Sequence, residues 1–252
     1  MIFIINQFKY KNSFIITTSI FLIFLIWIIF YNAIDHQIIM PSIQSTFFAL
    51  FHLVTEKDSL LIILNSFSRL FIAITFSAFF AIFLGILSGL HKHFSLFLKP
   101  YITILRTIPI ISIVLILYVL VSNQNISLII TFLMVFPIIY QGVESGILSI
   151  HKDLIDVYHL EKNNFFLSIK YLYLPSIKHH IITSFLQSFG LGIKVLIMAE
   201  YLTQRTNSIG NSLFLARTYL RYDFVFAWTI LLILLSLLIE YILYYYQKKV
   251  LD

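Results

Sequence analysis

Between Asn12 and Ile34 the chain runs for 23 residues without one charged side chain. A helix needs about 20 apolar residues to cross the hydrocarbon core of a bilayer. Similar runs recur at about Leu70–Leu90, Pro100–Val121, Ile126–Tyr140, Pro175–Ala199 and Phe224–Tyr246. Isoleucine is abundant, but the runs are continuous rather than alternating, which argues for helices over an outer-membrane barrel. The pattern predicts an all-α membrane protein with six transmembrane helices. Tyr241, Tyr244, Tyr245 and Tyr246 crowd the end of the sixth run, as an interfacial aromatic belt does. Pro109 and Pro137 fall inside runs, where neighbouring helices can satisfy the backbone groups that a proline frees.

Composition closes off other classes. Hydrophobic residues make up 60% of the chain and charged residues 11%, against about 25% charged in a soluble domain. Too little polar surface remains to coat a globule. The absence of cysteine excludes disulfides, thiolate metal sites and cysteine nucleophiles. The net charge of +6 comes from basic residues at the ends of apolar runs, which reads as membrane orientation and not as a nucleic-acid face. The first run follows Lys9 and Lys11 much as a signal peptide follows its basic region. It is too long, and no small-residue cleavage site follows, so a retained anchor is expected.

Six spans put both termini on one side. That side receives Lys9, Lys11, Lys92, Lys99, Lys152, Lys162, Lys170, Lys178, Lys248 and Lys249, whereas the other receives Lys57, Arg205, Arg217 and Arg221. The excess predicts that the first side is cytoplasmic. Residues 35–59 and 200–223 are then external loops, and the polar turn Ser122-Asn123-Gln124-Asn125 joins spans three and four. The loop from about Gln141 to Tyr173 is cytoplasmic. It mixes His151, Lys152, Asp153, Asp156, His159, Glu161 and Lys162 with Leu154, Ile155, Val157, Tyr158, Phe165 and Phe166. That mixture predicts a short amphipathic helix at the membrane face.

In this loop Gly146 stands ten residues before Asp156, and Leu174-Pro175 places Pro175 nineteen residues after it. Asp156-Val157-Tyr158-His159 occupies the position of an E-A-A segment, with Lys162 where a glycine is usual. Elsewhere stand Ser66-Phe67-Ser68-Arg69, Gly85 and Gly89, Leu105-Arg106-Thr107-Ile108-Pro109, Phe136-Pro137-Ile138, Ala199-Glu200, Ile209-Gly210 and Ala216-Arg217 with Asp223. In order and spacing these segments resemble the permeases of binding-protein-dependent ABC importers. The likeness is greatest to the group handling nitrate, sulfonates, taurine and thiamine precursors.

The resemblance implies a type I ABC importer permease-like bundle over residues 60–246. An anchor helix and external loop precede it (1–59), and a cytoplasmic tail follows (247–252). It further implies a bacterial inner-membrane location, a coupling helix docked on an ATP-binding cassette subunit, an external substrate-binding protein and a second permease copy. No G-x-x-x-x-G-K-[ST] loop occurs, so ATP is expected on the partner and no cofactor on this chain. Residues 153–165 are the expected docking segment, with Gly146, Asp156, Val157, Tyr158, Lys162 and Pro175 as coupling positions. Phe165 and Phe166 are candidate anchors; alternatively, they hold the loop against lipid. Lys162 suits a tight helix exit less well than glycine, so Asn163 or Asn164 is expected to take the left-handed turn one residue later.

Charges inside spans default to functional candidates. Arg106, Lys194 and Glu200 are the candidates for the translocation path. Lys194 either attracts an anionic substrate or pairs with Glu200 or a backbone carbonyl. Arg106 is expected near the cytoplasmic end of span three, snorkelling to headgroups. Glu200 is expected to pair with Arg205 or Arg217. Gly85 with Gly89, and Gly142 with Gly146, are small-xxx-small faces suited to a second permease or to an internal crossing. His91, His93, His179 and His180 are expected to meet headgroups, with no metal site. A membrane enzyme lacks a clustered catalytic set here. A self-sufficient carrier would usually need more spans, inverted repeats or midplane acidic residues, and the sequence shows none of these.

Overall fold

The computed structural model describes residues 13–34, 39–121, 123–161 and 165–251. Among them the chain is helical throughout, with no strand. The elements are α1 (Ser13–Ile34), α2 (Ile43–Thr55), α3 (Lys57–Leu90), α4 (Lys92–Thr107), α5 (Ile110–Leu120), α6 (Asn123–Leu148), α7 (Lys152–Glu161) and α8 (Phe165–Ser168). A π-helical turn (Ile169–Tyr173), α9 (Leu174–Thr203), α10 (Ile209–Thr218) and α11 (Tyr222–Leu251) follow.

Five stretches are long and apolar enough to cross a bilayer: α1, α3, α6, the π turn with α9, and α11. The sixth span is not a single rod. The α4–α5 pair bends by 99° at Ile108-Pro109. The residue before a proline is driven to extended geometry, and Ile108 has φ −67° and ψ 130°. Pro137 behaves differently, because α6 passes through it unbroken.

Two further boundaries move. α3 begins at Lys57, well before Leu70, and α6 continues past Tyr140 to Leu148. The first part of the expected cytoplasmic loop is therefore membrane helix, and Gly146 lies in the last turns of α6. The reason is packing: Gln141, Glu144 and Ser145 read as loop residues, but they share their turns with Gly142, Val143, Gly146 and Ile147, which face other helices. The polar turn shrinks likewise, since Asn123, Gln124 and Asn125 already belong to α6.

The core is a packet of α3, α6 and α9 with α6 between the others. A Cβ on Gly85 or Gly89 would lie 2.8 or 2.6 Å from the Cβ of Val143 or Ile147. A Cβ on Gly142 or Gly146 would lie 2.4 or 3.0 Å from the Cβ of Ser184 or His180. Both glycine pairs thus serve crossings within the chain, which resolves the choice that the sequence left open. Phe132, Phe136 and Tyr140 stack along α6 at about one-turn spacing, and Phe80 of α3 meets Phe132 edge-on. The Ser77 hydroxyl donates to the Phe132 carbonyl across the same crossing at 3.1 Å.

Exposed apolar side chains cover the outside, as a lipid-facing surface requires. Phe76, Phe79 and Phe83 of α3 and Ile233, Leu234 and Leu238 of α11 are examples. The apolar α1 stands apart from the packet. Trp27 meets Phe226 at 5.3 Å between ring centroids and donates from Nε1 to the Pro41 carbonyl.

Candidate functional site

Three features carry the functional argument: a buried ion cluster, a polar cavity and a projecting helix.

The ion cluster lies where α9 ends. Glu200 is fully buried and Arg69 is 11% exposed, with Arg69 Nε donating to Glu200 Oε1 at 2.9 Å. Ser66 Oγ donates to the same carboxylate at 2.9 Å, and the Gly210 N–H donates to Oε2 at 3.3 Å. Arg69 also donates to the Asn207 carbonyl, and the Ile209 N–H donates to Ser66 Oγ. Ser208 caps α10 by accepting from the Asn211 N–H. The first N–H groups of α10, which a helix leaves unpaired, are thus taken by Ser66, Glu200 and Ser208. A carboxylate at a helix N-terminus is also favoured by the helix dipole.

Glu200 therefore does not pair with Arg205 or Arg217, as sequence proximity suggests, but with a residue 131 positions earlier. Arg205 Nη1 is enclosed without a partner, and burial together with nearby Arg69 holds its guanidinium below the usual range. Arg217 donates to the Tyr201 hydroxyl at 2.9 Å. The cluster also unites separate stretches that carried the family resemblance: Ser66 to Arg69, Glu200, and Ile209-Gly210.

The cavity opens between α4, α6 and α9 and measures about 520 Å³. From α9 it is lined by His179, His180, Thr183 and Gln187; from α6 by Gln141 and Ser145; and from α4 by Arg106. Gln187 stands halfway along the 30-residue α9, so the cavity reaches from the lysine-rich end of the bundle to about mid-depth. Arg106 sits on the last turn of α4, beside the 99° break. It lines this cavity and is exposed in the single chain. His179 and His180, expected at headgroups, line it too. Among the described residues no three of His, Cys, Asp and Glu converge as metal ligands.

Lys194 lies outside the cavity but two turns further along the face of α9 that carries Gln187. It is exposed in the single chain and makes no ion pair among the described residues. Its expected pairing with Glu200 does not occur. The two residues are six positions apart, roughly 120° round the helix, and Glu200 faces inward. One acidic residue escaped sequence reasoning. Glu240 of α11 brings Oε1 to 3.7 Å from where a Cβ on Gly190 would sit, near the middle of α9. Its signal is a glutamate within the apolar run Phe224–Tyr246, six residues before the end of that run.

α7 is the projecting helix. Ile155 and Tyr158 pack inward on the main core. Asp153 and Asp156 are exposed, Leu154 is 49% exposed and Val157 59% exposed. The helix thus has a fixed inner face and an uncovered apolar outer face. Pro175 follows directly on the π turn, within the continuous helical run Ile169–Thr203. Lys162, Asn163 and Asn164, and with them the expected left-handed exit, lie outside the described residues. Phe165 and Phe166 are helical, but their side chains also lie outside.

A search of curated proteins returns no match. The family profile described as "Binding-protein-dependent transport system inner membrane component" matches residues 81–252, more than half of the chain. The match spans the paired glycines of α3, the α4–α5 break, the cavity, α7 and, of the ion cluster, Glu200 and Gly210 but not Ser66 or Arg69. It identifies a transport permease family and not an enzyme family. The chain belongs to the inner-membrane components of binding-protein-dependent transport systems, as a multi-pass permease subunit of an ABC transporter.

Proposed function

We propose that this permease works in the import direction, as one of two copies that share a translocation path along the α4–α6–α9 cavity. A separate ATP-binding cassette subunit drives it through α7. ATP binds that subunit and not this chain. An external binding protein delivers substrate at the end that carries Arg205, Arg217 and Arg221. The lysine-rich end and both termini face the cytoplasm of a bacterial cell, and the path is set in its inner membrane.

One observation carries the coupling role. α7 is fixed to the core by Ile155 and Tyr158, while Leu154 and Val157 lie uncovered. An apolar face on a short helix suits a cleft on a partner, and the contact of Ile155 and Tyr158 with the core lets partner motion reach the bundle. Asp156 and Val157 then belong to the docking surface and Tyr158 to the attachment. Gly146 contributes by holding α6 against α9.

The test is co-purification of the ATPase subunit together with ATP-driven uptake. Val157→Glu should weaken association on the order of thirtyfold, as loss of an interface anchor does, and abolish uptake. Asp153→Asn should leave association within about threefold, as a rim polar change does. Retention of the complex by a Leu154→Glu, Val157→Glu double variant would remove α7 from the coupling role.

A further inference from the structure

We propose that a second pocket, between the α2–α3 corner, α10 and α11, holds one phospholipid whose headgroup carries both a phosphate and a primary ammonium, as phosphatidylethanolamine does. The pocket measures about 280 Å³. Glu56 and Ser59 line it where α3 begins, and Arg221 and Trp228 line it where α11 begins. Both helices are long and apolar enough to cross a bilayer, and Arg221 stands just before the apolar run of α11. The pocket therefore lies at headgroup level, the depth at which tryptophan and tyrosine gather in membrane proteins.

Three observations point to this ligand. First, opposite charges rim one pocket, and each keeps an unused atom. Arg221 donates from Nε and Nη2 to Asp223 at 3.2 and 3.0 Å, which leaves Nη1 without a partner among the described residues. Glu56 accepts from Ser59 and meets His52 through Oε2 alone, which leaves Oε1 open. Second, Trp228 is only 3% exposed, and its indole N–H makes no hydrogen bond among the described residues. Buried donors are normally paired. Third, the floor is apolar, built from Leu53, Ile62 and Trp228. Leu60, Leu61 and Leu215 beside it are exposed and offer a track for acyl chains.

The rim separates lipid classes. Arg221 Nη1 and the Trp228 N–H are donors for phosphate oxygens, and Glu56 Oε1 accepts from an ammonium. A quaternary ammonium has no N–H for that oxygen. The Phe224 ring, on which such a cation would sit, already carries the Arg221 guanidinium at 4.5 Å from its centroid. A glycerol headgroup brings Glu56 no positive charge. A free zwitterionic solute matches the rim but leaves the exposed leucines bare. The site rests on the membrane setting of the chain alone, and neither the direction of transport nor coupling through α7 enters it.

Trp27 and Trp228 are the two tryptophans of the chain, so a Trp27→Phe variant makes indole fluorescence a reporter of this pocket. The full-length variant in mixed micelles is titrated with phosphatidylethanolamine, phosphatidylcholine and phosphatidylglycerol. All three carry the same brominated acyl chains, which quench a nearby indole. Half-quenching by phosphatidylethanolamine should need about tenfold less lipid than by either of the others, the effect of one hydrogen bond to a charged group. Adding Glu56→Gln should bring phosphatidylethanolamine to within about threefold of phosphatidylglycerol, because that bond is lost. Adding Arg221→Gln should weaken quenching by phosphatidylethanolamine about tenfold, whereas Arg221→Lys should stay within about threefold of the parent, which separates charge from folding. Asp58→Asn, on an exposed residue outside the pocket, should leave the ranking as it was.

Equal midpoints for the three lipids, or a preference that survives Glu56→Gln, would overturn the assignment and leave the pocket to a protein partner. Glycerophosphoethanolamine is the same headgroup without acyl chains. At a concentration equal to that of the lipid it should not reverse the quenching. Reversal would overturn the lipid in favour of a soluble zwitterion. An Asp58→Asn effect as large as that of Glu56→Gln would show a general surface-charge response and overturn the site as well.

Discussion

Arg69→Met should destabilise the folded chain by about 3–5 kcal/mol, the usual consequence of stripping one partner from a buried ion pair. Glu200 would stay fully buried with its Oε1 facing the vacated position. Its remaining donors, Ser66 Oγ and the Gly210 N–H, cannot neutralise a carboxylate. The Asn207 carbonyl would lose its donor as well, so the turn into α10 would loosen together with the pair. Thermal unfolding of the purified chain in one detergent measures the effect. Arg69→Met with Glu200→Gln should recover most of the loss, because a neutral amide removes the unpaired charge. A single variant as stable as the parent, or a double variant no better than the single, would show that the pair is not the tie it looks to be. Arg69→Lys should recover only part, since an ammonium cannot serve Glu200 and Asn207 through a planar fork.

Gly142→Ala should cost about 1–3 kcal/mol, the range for forcing extra volume into a packed core. The added Cβ would lie 2.4 Å from the Ser184 Cβ and 2.6 Å from its Oγ. A Cβ is fixed to its backbone, so relief requires α6 and α9 to separate. Separation along this crossing also disturbs Gly146, whose added Cβ would already be 3.0 Å from the His180 Cβ. Ser184→Gly placed in the Gly142→Ala background removes the colliding atom and should return most of the stability. The coupling energy of this double-mutant cycle is the quantity to measure. Additive effects would mean that the two helices do not meet there. Since Gly142 and Ser184 border the cavity, the single variant should also slow uptake beyond what its loss of folded material explains.

The spans themselves were legible because lipid imposes one rule on every residue that faces it. Runs of Ile, Leu and Phe announce a helix without reference to anything distant. What misled was local reading of residues with distant partners. Nearness in sequence pairs Glu200 with Arg205 or Arg217, whereas Arg69 reaches it from α3. Ser66, Arg69, Glu200 and Gly210 were each marked by resemblance, and only the fold shows that they form one cluster. Gln141, Glu144 and Ser145 read as loop because one face of a helix end is polar, although the opposite face packs.

Pro109 and Pro137 look equivalent in sequence. Yet one ends a helix and the other sits within one, because α6 is held on both sides by α3 and α9. Lys194 and Arg106 stand out in the sequence as rare charges in apolar surroundings. Their placement on one side of the α9 face depends on how α4 turns, and no local pattern fixes that.

The break at Ile108-Pro109 has an electrical consequence. Proline offers no N–H, so the Leu105 carbonyl loses its helical donor, and a helix end leaves further carbonyls without partners. Hydrocarbon cannot serve them, so irregular backbone at this depth requires protein or water. Arg106 puts the break beside the polar cavity. Beyond lies a dry cluster that includes Ile113, Val114, Ile130, Met134 and Val195. Packed apolar side chains such as these offer a passing ion neither water nor a dipole. A unit charge crossing the whole bilayer meets about 2.3 kcal/mol per 100 mV, and an uncompensated charge would meet this apolar layer on the way.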